Sequence, residues 1–470
     1  MHIPIEHTLE VTRQLQRTAY LADPVPTLAA RRADLMKLRA FVHEHQGGLI
    51  AAVNADYGHR SQHETLLTEI LPVLDAITYA LKHLAQWMKP QKRPIDWGRF
   101  PGAQNRIIPQ PLGVVGCIVP WNFPVNLSLV PLTCILAAGN RAMLKMSENS
   151  RHLAQYFIEH IPTYFAHDKL AVFDETGGVG VAFSHLKFDH MLFTGSSQTG
   201  RAVMAAAAQN LCPVTLELGG KSPALLCDDY PLQPAAERLL FAKLLNAGQI
   251  CTAVDHLYLP RGSTEAFVAA AKAIVAKRYP TLDSPDYTAI MGMPAFDRLV
   301  GALEEARVGG ATLVPLLPGP VWDVTTRKIS PHIVLNAPAD CQLRRREIFG
   351  PILPLTEYEQ LDDVIEAINS GPRPLAFYPF SHNPDTIQKL LDRVMSGGVS
   401  VNDALFHVAQ NELPFGGVGD SGMGHYHGAE GFVTFSKMRP VFYQARWSVA
   451  RLLWPPYGKW ATRALQFLMR

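Results

Sequence analysis

Charge is scarce in this 470-residue sequence, and the two signs nearly cancel. Charged residues make up 18% of the chain, and the formal net charge is +2 at pH 7. A nucleic-acid-binding protein normally carries a concentrated basic face, so we expect no nucleic-acid partner. Apolar residues make up 48%, which is typical of a globular chain and argues against intrinsic disorder.

Cysteine is also sparse, and no two cysteines have C-x-x-C spacing. This argues against a zinc site and against a disulfide framework. We therefore expect no metal, a reducing compartment and a cytoplasmic location. The six cysteines are Cys117, Cys134, Cys212, Cys227, Cys251 and Cys341.

Long apolar runs and a leader pattern are missing as well. The most apolar stretch, residues 113–139, is interrupted by prolines and asparagines. A membrane span needs about 20 largely uninterrupted apolar residues, so this stretch predicts buried protein interior. The first seven residues lack a basic region followed by an apolar core, so we expect no signal peptide.

What the sequence does contain is a long alternation of strand and helix patterns. A chain of this length is expected to form two or three domains. One alternating set runs from Leu112 to Glu217, and a second runs from Ala224 to about Ser400. The predicted fold class is therefore α/β, with two doubly wound open-sheet domains. Residues before 95 predict packing helices, and residues 95–111 suit a projecting hairpin.

The candidate nucleophile is Cys251, in the stretch Asn246-Ala-Gly-Gln-Ile-Cys251. Gly248 permits a tight turn, after which Cys251 could open a helix whose N-terminus favours a thiolate. The alternative is a buried, inert cysteine, which is the usual state of this residue. The Gly-Gln-Ile context favours the nucleophile.

The candidate base is Glu217, at the end of a predicted strand and before Gly219 and Gly220. Open α/β sheets hold their ligands at this edge, so Glu217 could activate a water molecule there. A thiol and a carboxylate together can form an acyl-enzyme and then hydrolyse it. The alternative is a salt bridge between Glu217 and Lys221.

A third candidate is Asn122, in the loop Pro120-Trp-Asn-Phe-Pro124 that follows another predicted strand. The two prolines restrict the loop and hold Asn122 in one orientation. An amide NH₂ held rigidly in an apolar pocket is a suitable oxyanion donor. The alternative is an asparagine that satisfies only its own turn backbone.

Further polar groups follow other predicted strands and could hold a dinucleotide. The stretch Phe193-Thr-Gly-Ser-Ser-Gln-Thr-Gly200 predicts a helix start whose N–H groups could bind a pyrophosphate, although it is not the G-x-G-x-x-G fingerprint. Lys145 and Glu148 could hold ribose hydroxyls or form a solvated edge. Glu347 could reach the second ribose, and Phe349 could flank a nicotinamide.

Six motifs occur in the order found in the aldehyde dehydrogenase superfamily, which this sequence resembles. They span residues 112–351, and looser similarity covers nearly the whole chain. They are Pro120-Trp-Asn-Phe-Pro124, Lys145-x-Ser-Glu148, Phe193-Thr-Gly-Ser196, Leu216-Glu-Leu-Gly-Gly-Lys221, Gly248-Gln-x-Cys251 and Glu347-x-Phe-Gly-Pro351.

Later segments resemble one branch of the superfamily. Pro374-Leu-Ala376 and residues 413–424 are similar to the class 3 enzymes, and the histidine-containing segments 407–410 and 425–428 are most similar to bacterial coniferyl-aldehyde dehydrogenases. Met146 departs from the family, where proline is commoner. Thr252-Ala-Val-Asp-His256 departs from the usual class 3 sequence but removes no chemical group.

The resemblance implies a domain organisation, an aldehyde substrate and a cofactor, NAD or NADP. Residues 1–94 and 112–217 would form the NAD(P)-binding domain, and residues 218–400 the catalytic domain. Residues 95–111 and 401–445 would form an oligomerisation arm with a C-terminal strand, consistent with a homodimer, and residues 446–470 a basic aromatic tail. Catalysis would rest on Cys251, Glu217 and Asn122. The implied cofactor-binding residues are Lys145, Ser147, Glu148, Gly195, Ser196, Glu347, Phe349 and Trp121.

Several alternatives stay open at this stage. Phe123, Phe406, Phe415 and Tyr426 could line a tunnel for an aromatic or long-chain aldehyde, or they could simply pack in the core. A coenzyme A-dependent acylating enzyme and a non-enzymatic NAD-binding structural protein are the rival functions. The tail could pack against a partner subunit or touch a membrane. Its apolar residues include Trp447, Leu452, Leu453, Trp454, Trp460 and Leu465.

Overall fold

Two open sheets with helices on their faces make up most of the computed structural model, which describes residues 5–448, 451 and 454–469. The predicted α/β fold class with two doubly wound domains and a small β arm is confirmed. Within the described residues, no helix has the length and apolar character that a bilayer span needs.

The first sheet is parallel except for one short edge strand. Strand Val114–Ile118 is a continuous apolar run with every residue buried, as expected of a strand covered by helices on both faces. The order of the strands along the chain reverses between Val114–Ile118 and its neighbour His190–Gly195. Such a reversal creates a crevice at the carboxyl edge of the sheet. The strands lie in the order Gly422–Met423, Val214–Leu218, His190–Gly195, Val114–Ile118, Arg141–Lys145 and Leu170–Phe173.

The helices around the first sheet include the N-terminal region, as predicted. The helical pattern ending near Met88 is interrupted by a π-helical turn, Leu66–Ile70, and Pro72 then lies in the first turn of the next helix, where no N–H is needed. The 3₁₀ turn Ile161–Thr163 follows the helix Arg151–His160. The α-helices are Ile5–Ala22, Leu28–Glu44, Gln46–Tyr57, Gln62–Thr65, Leu71–Trp87, Asn126–Ala138, Arg151–His160, Val179–Ser184, Ser197–Ala208 and Gly428–Thr434.

The second sheet is parallel except for its first edge strand. Its strands lie in the order Thr312–Pro315, His332–Leu335, Ile352–Tyr358, His256–Pro260, Pro223–Leu226, Ala376–Phe380 and Gly398–Val399. A small ribbon pairs Trp322–Asp323 with Lys328–Ile329. The helices of this half are Leu232–Leu244, the 3₁₀ turn Leu245–Gly248, Thr264–Arg278, Gly292–Val308, Gln342–Arg345, Leu361–Asn369 and Pro384–Arg393.

An antiparallel arm is formed by Gln91–Arg93, Gln104–Pro111 and Ser436–Tyr443, with the last strand at its edge. The sequence assigned all of residues 401–445 to the arm and its strand, and here the structure differs. Gly422–Met423 pairs in the first sheet. The reason is that a two-residue strand in a Gly-rich stretch leaves no period-2 signal.

The basic aromatic tail contains the helix Lys459–Leu468. Most of its large apolar side chains are exposed, whereas Ala461 is buried. The exposed group is Trp447, Trp454, Trp460, Leu465, Phe467, Leu468 and Met469. Leu452 and Leu453, which the sequence analysis also counted among the apolar residues of the tail, lie outside the described residues.

Candidate active site

The loop that carries Cys251 has an unusual backbone. Asn246, Ala247 and Gly248 have φ values of 52°, 50° and 75°, so three successive residues are left-handed. A Cβ at Gly248 would collide with the carbonyl of Gly350, so only glycine fits and the two segments are pressed together. Gln249 ties the loop down, donating to the carbonyls of Asn246 and Ala289 at 3.0 Å.

The prediction that Cys251 opens a helix is wrong. Residues 251–253 form a turn closed by the Ala253 N–H bonded to the Ile250 carbonyl at 3.0 Å. Only four residues separate Cys251 from the strand His256–Pro260, which leaves no room for a helix. The thiol therefore gains no helix dipole. Burial raises its pKa to about 12, and the carboxylates of Glu347 and Glu217 act in the same direction.

Glu217 is buried near this thiol, on the strand Val214–Leu218. Within the described part of the chain, neither carboxylate oxygen has a hydrogen-bond partner. Burial alone raises the pKa of Glu217 well above its usual range. The alternative salt bridge with Lys221 does not form, because Lys221 pairs with Asp255 and donates to the Leu343 carbonyl at 3.0 Å.

Asn122 connects its own loop to the cysteine loop. Its side-chain nitrogen donates to the Gln249 carbonyl at 3.3 Å, so the amide does not merely satisfy its own turn. The backbone carbonyl of Asn122 accepts hydrogen bonds from the Tyr57 hydroxyl at 2.8 Å and from Asn246 Nδ2 at 3.2 Å. The amide of Asn122 is thereby brought to the segment that carries Cys251.

A buried charged cluster, which the sequence reasoning missed, supports both loops. Arg60 and Glu69 form an ion pair at 2.7 Å with both side chains fully buried. Glu69 Oε2 also accepts the N–H groups of Val125 and Asn126 at 2.9 and 2.8 Å. Arg60, Glu64 and Glu69 lie in a segment that predicts only packing helices. The available signal was Glu69, a charged residue within the apolar stretch at residues 66–74.

Glu64 extends this cluster to the cysteine loop. Its carboxylate accepts the Asn246 N–H at 3.2 Å and the Thr288 hydroxyl at 2.6 Å. Burial raises the pKa of Glu64 to about 6, although these hydrogen bonds act against the shift. Carboxylates from the N-terminal helices therefore hold the backbone on both sides of the candidate site.

An apolar cavity of about 260 Å³ has Cys251 in its wall. All four residues predicted to contact substrate line it, namely Phe123, Phe406, Phe415 and Tyr426. Phe406 is 49% exposed and its ring is stacked on Phe241 with 6.3 Å between centroids. Tyr426 is buried, and Glu217 and Cys251 both act on its phenol electrostatically. Cysteine and aromatic wall thus belong to one cavity.

The polar groups predicted to hold a dinucleotide lie at the carboxyl edge of the first sheet. Ser196 caps the helix Ser197–Ala208, accepting the Thr199 N–H at 3.2 Å directly after Gly195. Lys145 is buried at the end of its strand and forms an ion pair with Glu175, a partner not found from the sequence.

The neighbouring segment places Ser147 in the interior and Glu148 at the surface. The Ser147 hydroxyl lies 3.2 Å from the Glu148 carboxylate. This segment and Ser196 lie at the ends of the strands Arg141–Lys145 and His190–Gly195, which lie on either side of Val114–Ile118.

Trp121, Phe349 and Glu347 lie close to the cysteine loop. The rings of Trp121 and Phe349 meet edge to face with 5.4 Å between centroids. The Glu347 carboxylate covers Gly219, where a Cβ would collide with it. Burial, with a contribution from Asp255, raises the pKa of Glu347 to about 8. The structure therefore sets Glu347 on the Gly-Gly step after Glu217.

Comparison with known proteins gives one family throughout. A model described as the aldehyde dehydrogenase family matches residues 23–441. A protein of Pseudomonas aeruginosa named probable coniferyl aldehyde dehydrogenase is 48% identical over 96% of this chain and 94% of its own length. A dimeric NADP-preferring aldehyde dehydrogenase of Canis lupus familiaris is 35% identical over 91% of this chain and 92% of its own.

Solved structures agree with the sequence relatives. The substrate-bound state of Staphylococcus aureus AldH superposes with a TM-score of 0.93 and 31% identity, covering all of both chains. A match over most of the chain, in sequence and in fold, comes with the six ordered motifs and with Cys251 in the cavity wall. This chain therefore belongs to the aldehyde dehydrogenase family.

Proposed function

We propose that this enzyme oxidises an aldehyde to the carboxylic acid, with NAD or NADP as cofactor and Cys251 as nucleophile. One observation carries the proposal. Cys251 lies in the wall of an apolar cavity, close to a buried carboxylate, Glu217, that lacks a hydrogen-bond partner among the described residues. A desolvated thiol with a desolvated carboxylate nearby suits thioester formation and hydrolysis.

In the first step the Cys251 thiol releases its proton to solvent water, and the thiolate sulfur adds to the aldehyde carbon. The carbonyl oxygen becomes an oxyanion, which the Asn122 amide and the Cys251 N–H stabilise. In other enzymes removing one such donor costs about 2.7–4 kcal/mol. The bond from Asn122 to the Gln249 carbonyl supports this role, because it fixes the amide and leaves its second N–H available.

The residues at the carboxyl edge of the first sheet fit a nicotinamide dinucleotide. The capped start of the helix Ser197–Ala208 offers N–H groups to a pyrophosphate, and the edge lies where chain order reverses. One ribose would be held by the start of this helix together with Lys145, Ser147 and Glu148. The other ribose would be held by Glu347. Trp121 and Phe349 would border the nicotinamide. When bound, the cofactor accepts a hydride from the substrate carbon.

In the last step Glu217 acts as general base. It takes a proton from water, the oxygen attacks the thioester carbon, and the sulfur leaves as thiolate with release of the acid. The raised pKa of Glu217 suits this role, because a base is most effective when its pKa is near the working pH.

The substrate class that we propose is an aromatic aldehyde, such as coniferyl aldehyde, with medium or long-chain aliphatic aldehydes as the second candidate. The cavity volume of about 260 Å³ and its aromatic wall support this choice. The name of the Pseudomonas aeruginosa relative points the same way. Glu148 would repel a ribose 2′-phosphate and so favours NAD over NADP.

The assembly that we propose is a homodimer formed through the arm, in a reducing cytoplasm that suits six unpaired cysteines. Strand Ser436–Tyr443 lies at the edge of its sheet, where a second copy could pair. We further propose that the exposed aromatic tail packs against the partner subunit.

Two rival functions make different predictions. A coenzyme A-dependent acylating enzyme would not need a base, so the buried Glu217 counts against it. A non-enzymatic NAD-binding protein would not need Cys251, Glu217 and Asn122 together. Formation of NAD(P)H when an aldehyde is present excludes the non-enzymatic NAD-binding protein. Formation of NAD(P)H in the absence of coenzyme A excludes the acylating enzyme.

The decisive experiment follows NAD(P)H absorbance with purified protein and an aldehyde panel. Cys251→Ala is expected to abolish turnover, whereas Cys212→Ser, at another buried and unpaired cysteine, is expected to keep it. Glu217→Gln is expected to give one rapid burst per site followed by slow release. Turnover by Cys251→Ala, or an unchanged steady rate in Glu217→Gln, would contradict the assigned roles.

A further inference from the structure

His427 is a buried polar side chain in the wall of the aldehyde cavity for which the proposed reaction has no use. The residue is 8% exposed, and its ring lines the same cavity as Cys251. Neither ring nitrogen has a hydrogen-bond partner among the described residues, and Nδ1 is sealed from solvent. Buried polar groups are nearly always paired, and because Nδ1 is closed to solvent, Nε2 is the ring atom that a ligand in the cavity could reach.

The surroundings of His427 hold its ring in one position. It is stacked on Phe415 with 5.4 Å between centroids and an interplanar angle of 22°, and it meets Tyr426 edge to face at 4.9 Å. Its backbone has a φ of 97°, a conformation that side-chain-bearing residues rarely adopt. Strain of this kind concentrates at ligand contacts.

The ring is also neutral at physiological pH. Burial and the neighbouring His407 lower the pKa of His427 to about 4. A neutral imidazole carries one N–H donor and one nitrogen acceptor, which is the complement of a hydroxyl group. A carboxylate or phosphate would require a positive charge that this ring does not carry.

Three other polar residues of the cavity wall, Thr68, Asn126 and Asp75, are already engaged or face solvent. The Thr68 hydroxyl donates to the Glu64 carbonyl at 2.6 Å and accepts from Arg60 at 3.2 Å. The Asn126 amide donates to the Thr68 carbonyl at 2.7 Å. Asp75 is exposed. His427 combines burial, an unpaired ring and a position between aromatic side chains.

We propose that His427 determines specificity by hydrogen-bonding a hydroxyl group on the ring of an aromatic aldehyde whose carbonyl is presented to Cys251. This inference rests on the proposed function and deepens it, since it selects hydroxylated aromatic aldehydes over aliphatic and unsubstituted aromatic ones. Phe415, stacked on His427, and Phe123 would contact the faces or edges of the substrate ring.

The test compares kcat/KM for 4-hydroxycinnamaldehyde and cinnamaldehyde, which differ only in the hydroxyl. The wild-type enzyme is expected to favour the hydroxylated aldehyde by about tenfold, the value of one well-formed hydrogen bond at about 1.4 kcal/mol. His427→Phe, which keeps an aromatic ring on Phe415, is expected to bring that ratio to about one, mainly through loss on the hydroxylated aldehyde.

Two further variants separate specificity from folding. His427→Gln retains a donor and an acceptor and is expected to keep the ratio within about threefold of wild type. His425→Phe lies in the same loop with its side chain 47% exposed and outside the cavity, and is expected to change neither rate. Equal losses on both aldehydes in His427→Phe, or a wild-type ratio near one, would overturn the proposal.

Binding without turnover distinguishes this inference from the proposed function. In a Cys251→Ala background, calorimetry is expected to give a dissociation constant about tenfold lower for 4-hydroxycinnamaldehyde than for cinnamaldehyde, and His427→Phe should remove the difference. If this preference holds while the wild type oxidises neither aldehyde, His427 binds as inferred and the proposed reaction is wrong. If oxidation occurs without the preference, only the role of His427 fails.

Discussion

Cys251, Glu217 and Glu347 form a group of acids whose protons are all held more tightly than usual. Burial raises the pKa of each, and the two carboxylates raise the pKa of the thiol further. The cysteine loop supplies no helix N-terminus to offset this. The Cys251 thiol is therefore protonated at rest, and its thiolate forms against the charge of the neighbouring carboxylates.

This arrangement predicts how Cys251 reacts with iodoacetamide as pH changes. The alkylation rate follows the thiolate, so it should rise with pH and reach half its maximum above the ordinary thiol value of about 8.5. Glu217→Gln removes a neighbouring negative charge and should move the curve to lower pH. The other cysteines are buried, and Cys251→Ser should abolish the fast labelling. A wild-type midpoint below about 8 would contradict the pKa direction.

Some residues of the candidate site could be predicted from the sequence and others could not. The two groups differ in the kind of structure that brings them to the site. Glu217, Asn122 and Ser196 lie at or after the ends of short strands. Strand ends in a doubly wound sheet meet at one edge, so the convergence of these residues follows from topology. Arg60, Glu64 and Glu69 are far away in sequence, in the N-terminal helical region. Their burial depends on tertiary packing, which helical periodicity does not report. The helix expected at Cys251 does not form, because the chain turns at residues 251–253 and only four residues separate Cys251 from the strand His256–Pro260.

Among the elements, the helical segment that carries Glu69 does more than cover the sheet. Glu69 neutralises Arg60 and also accepts the first N–H groups of the helix Asn126–Ala138, which follows the Asn122 loop. The four first N–H groups of a helix lack internal partners, so Glu69 acts as a cap supplied from another element. It thereby couples the N-terminal helices to the candidate oxyanion donor.

Glu69→Gln is expected to destabilise the protein by about 3–5 kcal/mol in urea unfolding, because it leaves the Arg60 charge buried and uncompensated. The loss in activity should appear mainly in kcat, since Asn122 is displaced while the cavity wall remains. Glu304→Gln is the matched control, because its pair with Arg307 is exposed and worth less than about 0.5 kcal/mol.

A double variant, Arg60→Met with Glu69→Gln, checks the electrostatic cause. Removing both charges should recover part of the stability lost in Glu69→Gln, since no lone charge is then left in the interior. Equal stability of Glu69→Gln and Glu304→Gln, or a double variant less stable than the sum of the single ones, would contradict this account.

At the scale of the whole molecule, the candidate site and the proposed dimer contact lie in different parts of one chain. The described residues of a single chain supply the cavity, Cys251 and Glu217, whereas the proposed dimer contact is the arm edge Ser436–Tyr443. That strand contains Lys437 and Arg439 and no acidic residue, and Met438 and Phe442 carry its larger apolar side chains. A two-fold axis would bring two copies of this strand together, so each side chain would meet the same strand in the partner.

The double variant Met438→Lys with Phe442→Lys is expected to convert the dimer to a monomer. It adds two positive charges to a strand that already carries two, so the copies repel in any antiparallel register, and lysine is a common block to edge pairing. Sedimentation equilibrium should give twice the chain mass of 51.9 kDa for wild type and about one chain mass for the variant. Val324→Lys, at a site 55% exposed in the other sheet domain, should leave the dimer intact. A wild type that sediments as one chain, or a variant that remains dimeric, would rule out the arm edge as the contact.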